Sequence, residues 1–240
     1  GGTGAIQACT IVAGNYLAYA RVLAESFLEH HPDGSFTVLV VDDEARAIAP
    51  THELDRRIHW WRLADLGLEV AEIHRLAGIY DVVELSTAVK PLFLKVLIDA
   101  HASAVVFLDP DIRVFGSLAH VPRLAEAHGL VLTPHVTQPI PDDGRQPDAL
   151  YVLAAGVYNL GFVAVAAAAA PCLDWWWRQT RRRALNDPSR QMFTDQRWAD
   201  FMPGLFGHHL LKDPGYNAAY WNLHERPLTR AQGRVYARNA

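Results

Sequence analysis

Two aspartates separated by a single proline, Asp109-Pro110-Asp111, follow directly on the apolar run of residues 104–108. That run reads as a buried strand, and its end would reach the rim of the sheet, where open α/β sheets bind ligands. Pro110 cannot extend a ladder, so both acids fall in a stiffened turn. Carboxylates placed one residue apart can chelate Mg²⁺ or Mn²⁺, which take one or two protein carboxylates and leave the other positions to phosphate oxygens and water. Asp-Pro-Asp is also ordinary turn chemistry, so the residues that accompany it decide its meaning.

Other polar residues stand at comparable places. Asn15 and Tyr16 follow the apolar run 8–13, where Asn15 can cap a helix, and Asp42-Asp43 closes the run 36–41. Gly161 lies inside the apolar stretch 158–165, a position that often marks close approach of a ligand or another backbone. Asp195 follows Thr194 and precedes Gln196, as a first-turn acid on a helix would. Lys90 reads as a solvated lysine. His224 reads as a hydrogen-bonded structural residue. His208 and His209 are adjacent, and adjacent strand positions point to opposite faces, which is poor geometry for a shared metal.

The elements needed to position these groups alternate between strand and helix. The run 8–13 leads into a helix with Tyr16, Ala20, Leu23 and Phe27 on one face, and 36–41 is β-branched and apolar enough to be covered on both sides. A helix over 88–100, with Pro91 in its first turn, feeds the strand ending at Asp109. Residues 130–133 read as a further strand, 138–148 as a mobile loop able to act as a lid, and 158–165 as another strand. An alanine-rich helix over 166–183 carries Trp175, Trp176 and Trp177, read as packing residues, and ends in three arginines that suit a solvated helix terminus. The alternation predicts an α/β fold with a mixed, mainly parallel sheet flanked by helices.

Composition narrows the function. The chain has 240 residues and half of them are hydrophobic, enough to bury a large core. Twenty-two Lys and Arg against 26 Asp and Glu leave no basic field for a nucleic acid. Cys9 and Cys172 lie far apart and read as reduced thiols of a cytoplasmic protein. No apolar run approaches the roughly 18 residues of a membrane span. Residues 1–7 are expected to be a flexible N-terminus and 8–240 one domain, whose C-terminal end the sequence does not visibly close.

The segment Thr10-Ile-Val-Ala-Gly-Asn-Tyr-Leu-Ala-Tyr-Ala-Arg resembles the opening of retaining glycosyltransferases of the GT-A fold, the family of glycogenin and bacterial lipopolysaccharide galactosyltransferases. The resemblance implies that Thr10, Ala13, Asn15 and Tyr16 hold the nucleotide. Asp109-Pro110-Asp111 is similar to that family's Asp-X-Asp motif, which implies Mn²⁺ or Mg²⁺ held by Asp109 and Asp111 on the donor diphosphate. Lys90 lies near the family's basic residue beside the phosphates, normally Arg. Tyr158-Asn159-Leu160-Gly161 resembles Phe-Asn-Ala-Gly, and Asp195-Gln196 resembles Asp-Gln, which implies that Asn159, Gly161, Asp195 and Gln196 contact the donor sugar. The family's closing His-X-X-Gly motif is not found in residues 203–240, where Asn222-Leu223-His224-Glu225 offers a His without the glycine, so the third metal ligand is expected beyond Ala240.

The expected function is metal-dependent transfer of a sugar from a nucleotide donor, UDP-sugar first, with retention, to a carbohydrate, lipid-linked glycan or protein. The alternatives are a noncatalytic nucleotide-sugar or carbohydrate-binding domain and a sugar-nucleotide pyrophosphorylase. The latter class uses a glycine-rich N-terminal loop with basic residues, where this chain has Thr10-Ile-Val-Ala-Gly-Asn-Tyr.

Overall fold

The protein is described by a computed structural model covering residues 5–42, 55–100 and 102–237, so Asp43 lies outside the described residues. A seven-stranded sheet forms the centre, with strands in the spatial order β3 (Ile58–Arg62), β2 (Ser35–Val40), β1 (Gln7–Val12), β4 (Ala104–Leu108), β6 (Tyr158–Ala166), β5 (Leu130–Pro134) and β9 (His209–Leu210). Only β6 runs against the others, pairing antiparallel with both β4 and β5. Gln7, expected in the flexible terminus, is already paired with Ser35 and Val105 as the first residue of β1.

Because β2 and β4 flank β1, the strand order reverses there, and the crevice outside the carboxyl ends of β1 and β4 is the place where such sheets bind ligands. The antiparallel sense of β6 brings its first residues, not its last, to the same rim.

Helices cover both faces, which is why the strands are apolar on both sides. On one face, Ala8, Val12, Val38 and Val106 pack with Ala20, Leu23 and Phe27 of α1 (Leu17–His30) and with Val121 and Ala125 of α4 (Val121–His128). On the other, Cys9, Ile11, Leu39 and Phe107 pack with Val89 and Phe93 of α3 (Val82–Asp99) and with Cys172 and Trp176 of α6 (Ala170–Arg183). Full burial of each large apolar side chain contributes about 1.5–3 kcal/mol.

Several boundaries differ from the sequence reading for identifiable reasons. α3 starts at Val82, not at 88, because Asp81 and Glu84 form a reciprocal capping box. Pro91 therefore sits mid-helix, its cost of about 3 kcal/mol offset by the buried stripe Leu85, Ala88, Val89 and Phe93. Asn15 does not cap α1; a 3₁₀ turn over Gly14–Tyr16 precedes the helix, and Tyr16 leaves the apolar stripe at 43 % exposure. The arginines ending α6 are not merely solvated, since Arg181 and Arg182 pair with Glu72 of α2 (Val70–Ile79) at 3.1 and 2.8 Å. Between β5 and β6 stands α5 (Ala149–Ala155), and past α6 come the two-stranded ribbon β7 (Asn186–Asp187) and β8 (Met192–Phe193), the short helices α7 (Gln196–Ala199) and α8 (Met202–Leu205), and, after β9, the hairpin β10 (Leu228–Ala231) and β11 (Arg234–Ala237). Among the described residues no helix is long and apolar enough to cross a membrane.

Candidate active site

At the end of β4 the Asp109 amide donates to the Gly161 carbonyl at 2.8 Å, carrying the β4–β6 pairing one step past the strand, and the Ile112 amide returns to the Asp109 carbonyl at 3.1 Å. Pro110 and Asp111 thus occupy the tip of a closed turn. Asp109 and Asp111 both line a cavity of about 660 Å³, together with Asn159, Gly161, Tyr216 and Asn217. Asp109 remains 44 % exposed on that side.

Gly161 is required by proximity. A side-chain carbon there would stand 2.7 Å from Asn159 Oδ1 and 2.9 Å from Asp109 Oδ2. Its absence lets the Gly161 amide donate to Asn159 Oδ1 at 2.8 Å while Asp109 lies alongside.

Behind this wall Lys90 is buried, contrary to its reading as a solvated lysine. Its ammonium lies 3.0 Å from Asp195 Oδ2 and 4.0 Å from Asp109 Oδ1, donates to the Leu160 carbonyl at 3.2 Å, and sits 4.4 Å from the centre of the Phe107 ring. Burial alone would lower the Lys90 pKa, but the two aspartates more than offset it and hold the ammonium above its ordinary value. Enclosure on its protein side raises the Asp109 carboxyl above the ordinary carboxylate range, less than full burial would because its outer side is open to the cavity; Lys90 pulls it down, and Asp195 and Asp111 push it further up. The Lys90 charge therefore acts through these acids, and its hydrogens are already directed at protein atoms.

Asp195 occupies the position before α7 but makes no capping bond, because its side chain turns inward to Lys90. It is 2 % exposed. The preceding residue, Thr194, has φ +48°, an uncommon conformation for a β-branched side chain and one that clusters at functional sites. Gln196 spends its amide on backbone, donating to the Ala155 carbonyl at 2.9 Å and accepting from the Leu160 amide at 3.4 Å, which ties α5 to β6.

The residues expected at the end of β1 form a separate group. Thr10 is fully buried on the α1 face of the sheet, so its hydroxyl cannot meet a ligand at the rim. Ala13, Asn15 and Tyr16 stand at the strand's end, where the Gly14 amide donates to Asp42 Oδ2 at 2.9 Å, and none of them lines the cavity. His224 is exposed away from it, and His209 stacks on His128 at 5.2 Å. Trp176 is wholly core. Of the aromatic residues that line the cavity, Phe115, Phe162, Tyr216 and Trp221, none was singled out from the sequence for the site; Asp213-Pro214-Gly215 is a turn signal beside Tyr216, and no such signal accompanies Phe115.

Among the described residues no group of three His, Cys, Asp or Glu side chains could hold a metal by itself. The two acids at the turn still suit a hard cation, since both are oxygen donors open to the cavity and such cations complete their shell with phosphate and water.

Comparison with solved structures gives the architecture a name. The chain matches galactosyltransferase LgtC, solved with donor and acceptor sugar analogues, at 20 % identity over 85 % of this chain and 73 % of that one, with a TM-score of 0.50. It matches mouse xyloside xylosyltransferase 1 in its apo form at 12 % identity, over 86 % of this chain and 84 % of that one, with a TM-score of 0.52. The chain has the GT-A fold. No protein-family model matches it. In sequence it is 27 % identical over 237 residues to the uncharacterized protein YfnD of Bacillus subtilis, covering 95 % of this chain and 72 % of that protein. Asp109 and Asp111 stand in the turn just past β4, the strand beside the topological switch, with the first residues of β6 as their floor.

Proposed function

We propose that the protein is a metal-dependent glycosyltransferase that takes a sugar from a nucleotide donor, UDP-sugar first, and passes it with retention to a carbohydrate, lipid-linked glycan or protein. The observation that carries this reading is the convergence of Asp109, Asp111, Asn159 and Gly161 on one cavity at the ends of β4 and β6, the strands next to the switch point of a GT-A sheet.

The reaction breaks the bond between the anomeric carbon and the phosphate oxygen, so charge develops on the leaving diphosphate. Asp109 and Asp111 would hold Mn²⁺ or Mg²⁺ there, and the cation when bound supplies electrostatic stabilisation of that charge. Ala13, Asn15 and Tyr16, at the end of the neighbouring strand, would receive the nucleoside, with the Gly14 amide already engaged by Asp42. Asn159 offers its amide to the sugar. Asp195 and Lys90 act from behind it: the ammonium balances two acids that would otherwise repel each other, keeping the wall intact without reaching the phosphates. Gln196 holds β6 in place by its backbone contacts.

Hydrolysis of a panel of nucleotide sugars, with and without Mn²⁺, tests the reading without knowledge of the acceptor. Mn²⁺-dependent release of UDP and thermal stabilisation by UDP with Mn²⁺ are expected; no stabilisation by any nucleotide sugar in either condition would overturn it.

A further inference from the structure

Asn217 is one of the few residues other than glycine with positive φ, at +50°, and its side chain reaches back to the floor of the cavity. Its Nδ2 lies 2.9 Å from Thr133 Oγ1, 3.0 Å from Asn159 Oδ1 and 3.4 Å from the Asn159 carbonyl. The chemistry fixes both amides independently of how they are drawn. Asn159 must present its oxygen inward, because the Gly161 N–H meets it at 2.8 Å and needs an acceptor. Asn217 must present its nitrogen, because the Asn159 carbonyl can only accept. The turn that carries Asn217 is itself held: the wholly buried Asn222 donates to the Asn217 carbonyl at 2.9 Å and to the His135 carbonyl at 3.0 Å.

Both side chains line the cavity, and among the described residues neither Asn159 Nδ2 nor Asn217 Oδ1 has a hydrogen-bond partner. One is a donor and the other an acceptor. We propose that Asn217 determines specificity at this site: it locks the Asn159 amide with its NH₂ toward the cavity, and the two free amide ends together take one hydroxyl of a sugar ring. A hydroxyl donates and accepts at once, which matches this pair and which neither a phosphate oxygen nor an ammonium can do. The assignment of the hydroxyl to a donor sugar rests on the reading of the cavity given above, whereas the lock on Asn159 does not.

The test is Asn217→Gly, which removes the amide and keeps the positive φ that glycine adopts freely. The Asn159 side-chain ¹⁵N–¹H₂ signals, assigned by their loss in Asn159→Asp, are expected to shift and to exchange faster with water in Asn217→Gly, while the melting temperature stays near that of the parent. The affinity for UDP with Mn²⁺ should hold, and the preference for UDP-sugar over UDP should fall about tenfold, the effect of one or two lost hydrogen bonds. Unchanged Asn159 signals would overturn the lock. Altered signals with an intact sugar preference would overturn the role in specificity. Failure of the parent protein to bind UDP or any UDP-sugar would refute the donor-sugar reading and this hydroxyl assignment with it, while the amide signals would still decide whether Asn217 orients Asn159.

Discussion

The Lys90 ammonium and the Asp195 carboxylate meet at 3.0 Å with side chains only 4 % and 3 % exposed, although one belongs to the middle of α3 and the other to a turn formed much later in the chain. Removing one partner of such a pair leaves the other as an uncompensated buried charge, which costs about 3–5 kcal/mol. Lys90→Met is therefore expected to lower the unfolding free energy by that amount in urea titration. Adding Asp195→Asn should restore part of the loss; losses that simply add would show that the two groups are energetically independent.

Asp111 faces the cavity without the supporting charge that Asp109 receives from Lys90. Asp111→Asn should weaken Mn²⁺-dependent UDP binding about tenfold or more in calorimetry and, by analogy with the loss of one oxyanion donor, reduce donor turnover about 10²–10³-fold. An unchanged affinity in Mn²⁺ would remove Asp111 from the cation site.

Gly161→Ala would force a methyl group to within 2.7 Å of Asn159 Oδ1 and 2.9 Å of Asp109 Oδ2. Overpacking of this kind costs about 1–3 kcal/mol. Thermal unfolding should register that loss, and donor hydrolysis should fall further than stability explains, because both displaced groups line the cavity. Full activity in a destabilised Gly161→Ala protein would show that the placement of Asn159 and Asp109 is not limiting.

Glu72 provides a pH dependence remote from the cavity. The Arg182 guanidinium, with Arg181 and Arg75 adding to it, lowers the Glu72 pKa from 4.5 to about 2. A carboxyl depressed in the folded state stabilises it above the unfolded value, near 4.5, and that contribution is lost as pH falls toward 2. Because Arg182 and Arg181 remain 32 % and 40 % exposed, screening reduces the contribution to about 1 kcal/mol. Glu72→Gln should therefore melt about 2–4 °C below the parent protein at pH 7, with the gap closing below pH 4.5. A gap independent of pH would assign the effect to packing.

How far the sequence disclosed the molecule depended on whether a feature is local. Apolar runs with β-branched residues marked β1, β2 and β4, and the carboxylates at the end of β4 were legible because a strand's exit is a chain-local position. The glycine inside β6 announced a close approach and the structure supplies it, with Asp109 and Asn159 as the neighbours. Lys90 was misread because burial of a lysine is decided by what arrives from elsewhere in the chain, here Asp195. Thr10 sits among apolar residues whose faces alternate, and the covering helix, not its own type, decides that its hydroxyl is enclosed. Asn217 left little trace: its importance comes from a carbonyl and two side chains on β5 and β6, which no spacing in its own segment encodes.

The lone reversed strand, β6, also sets an order on assembly. Until it is laid down, β4 has an unpaired edge, and Lys90 and Asp109 emerge from synthesis well before Asn159 and Asp195 can meet them. A chain stalled short of β6 would therefore keep an open β4 edge, and one stalled short of Asp195 would hold a lysine without its 3.0 Å partner, each a poor candidate for stability and a ready target for proteolysis.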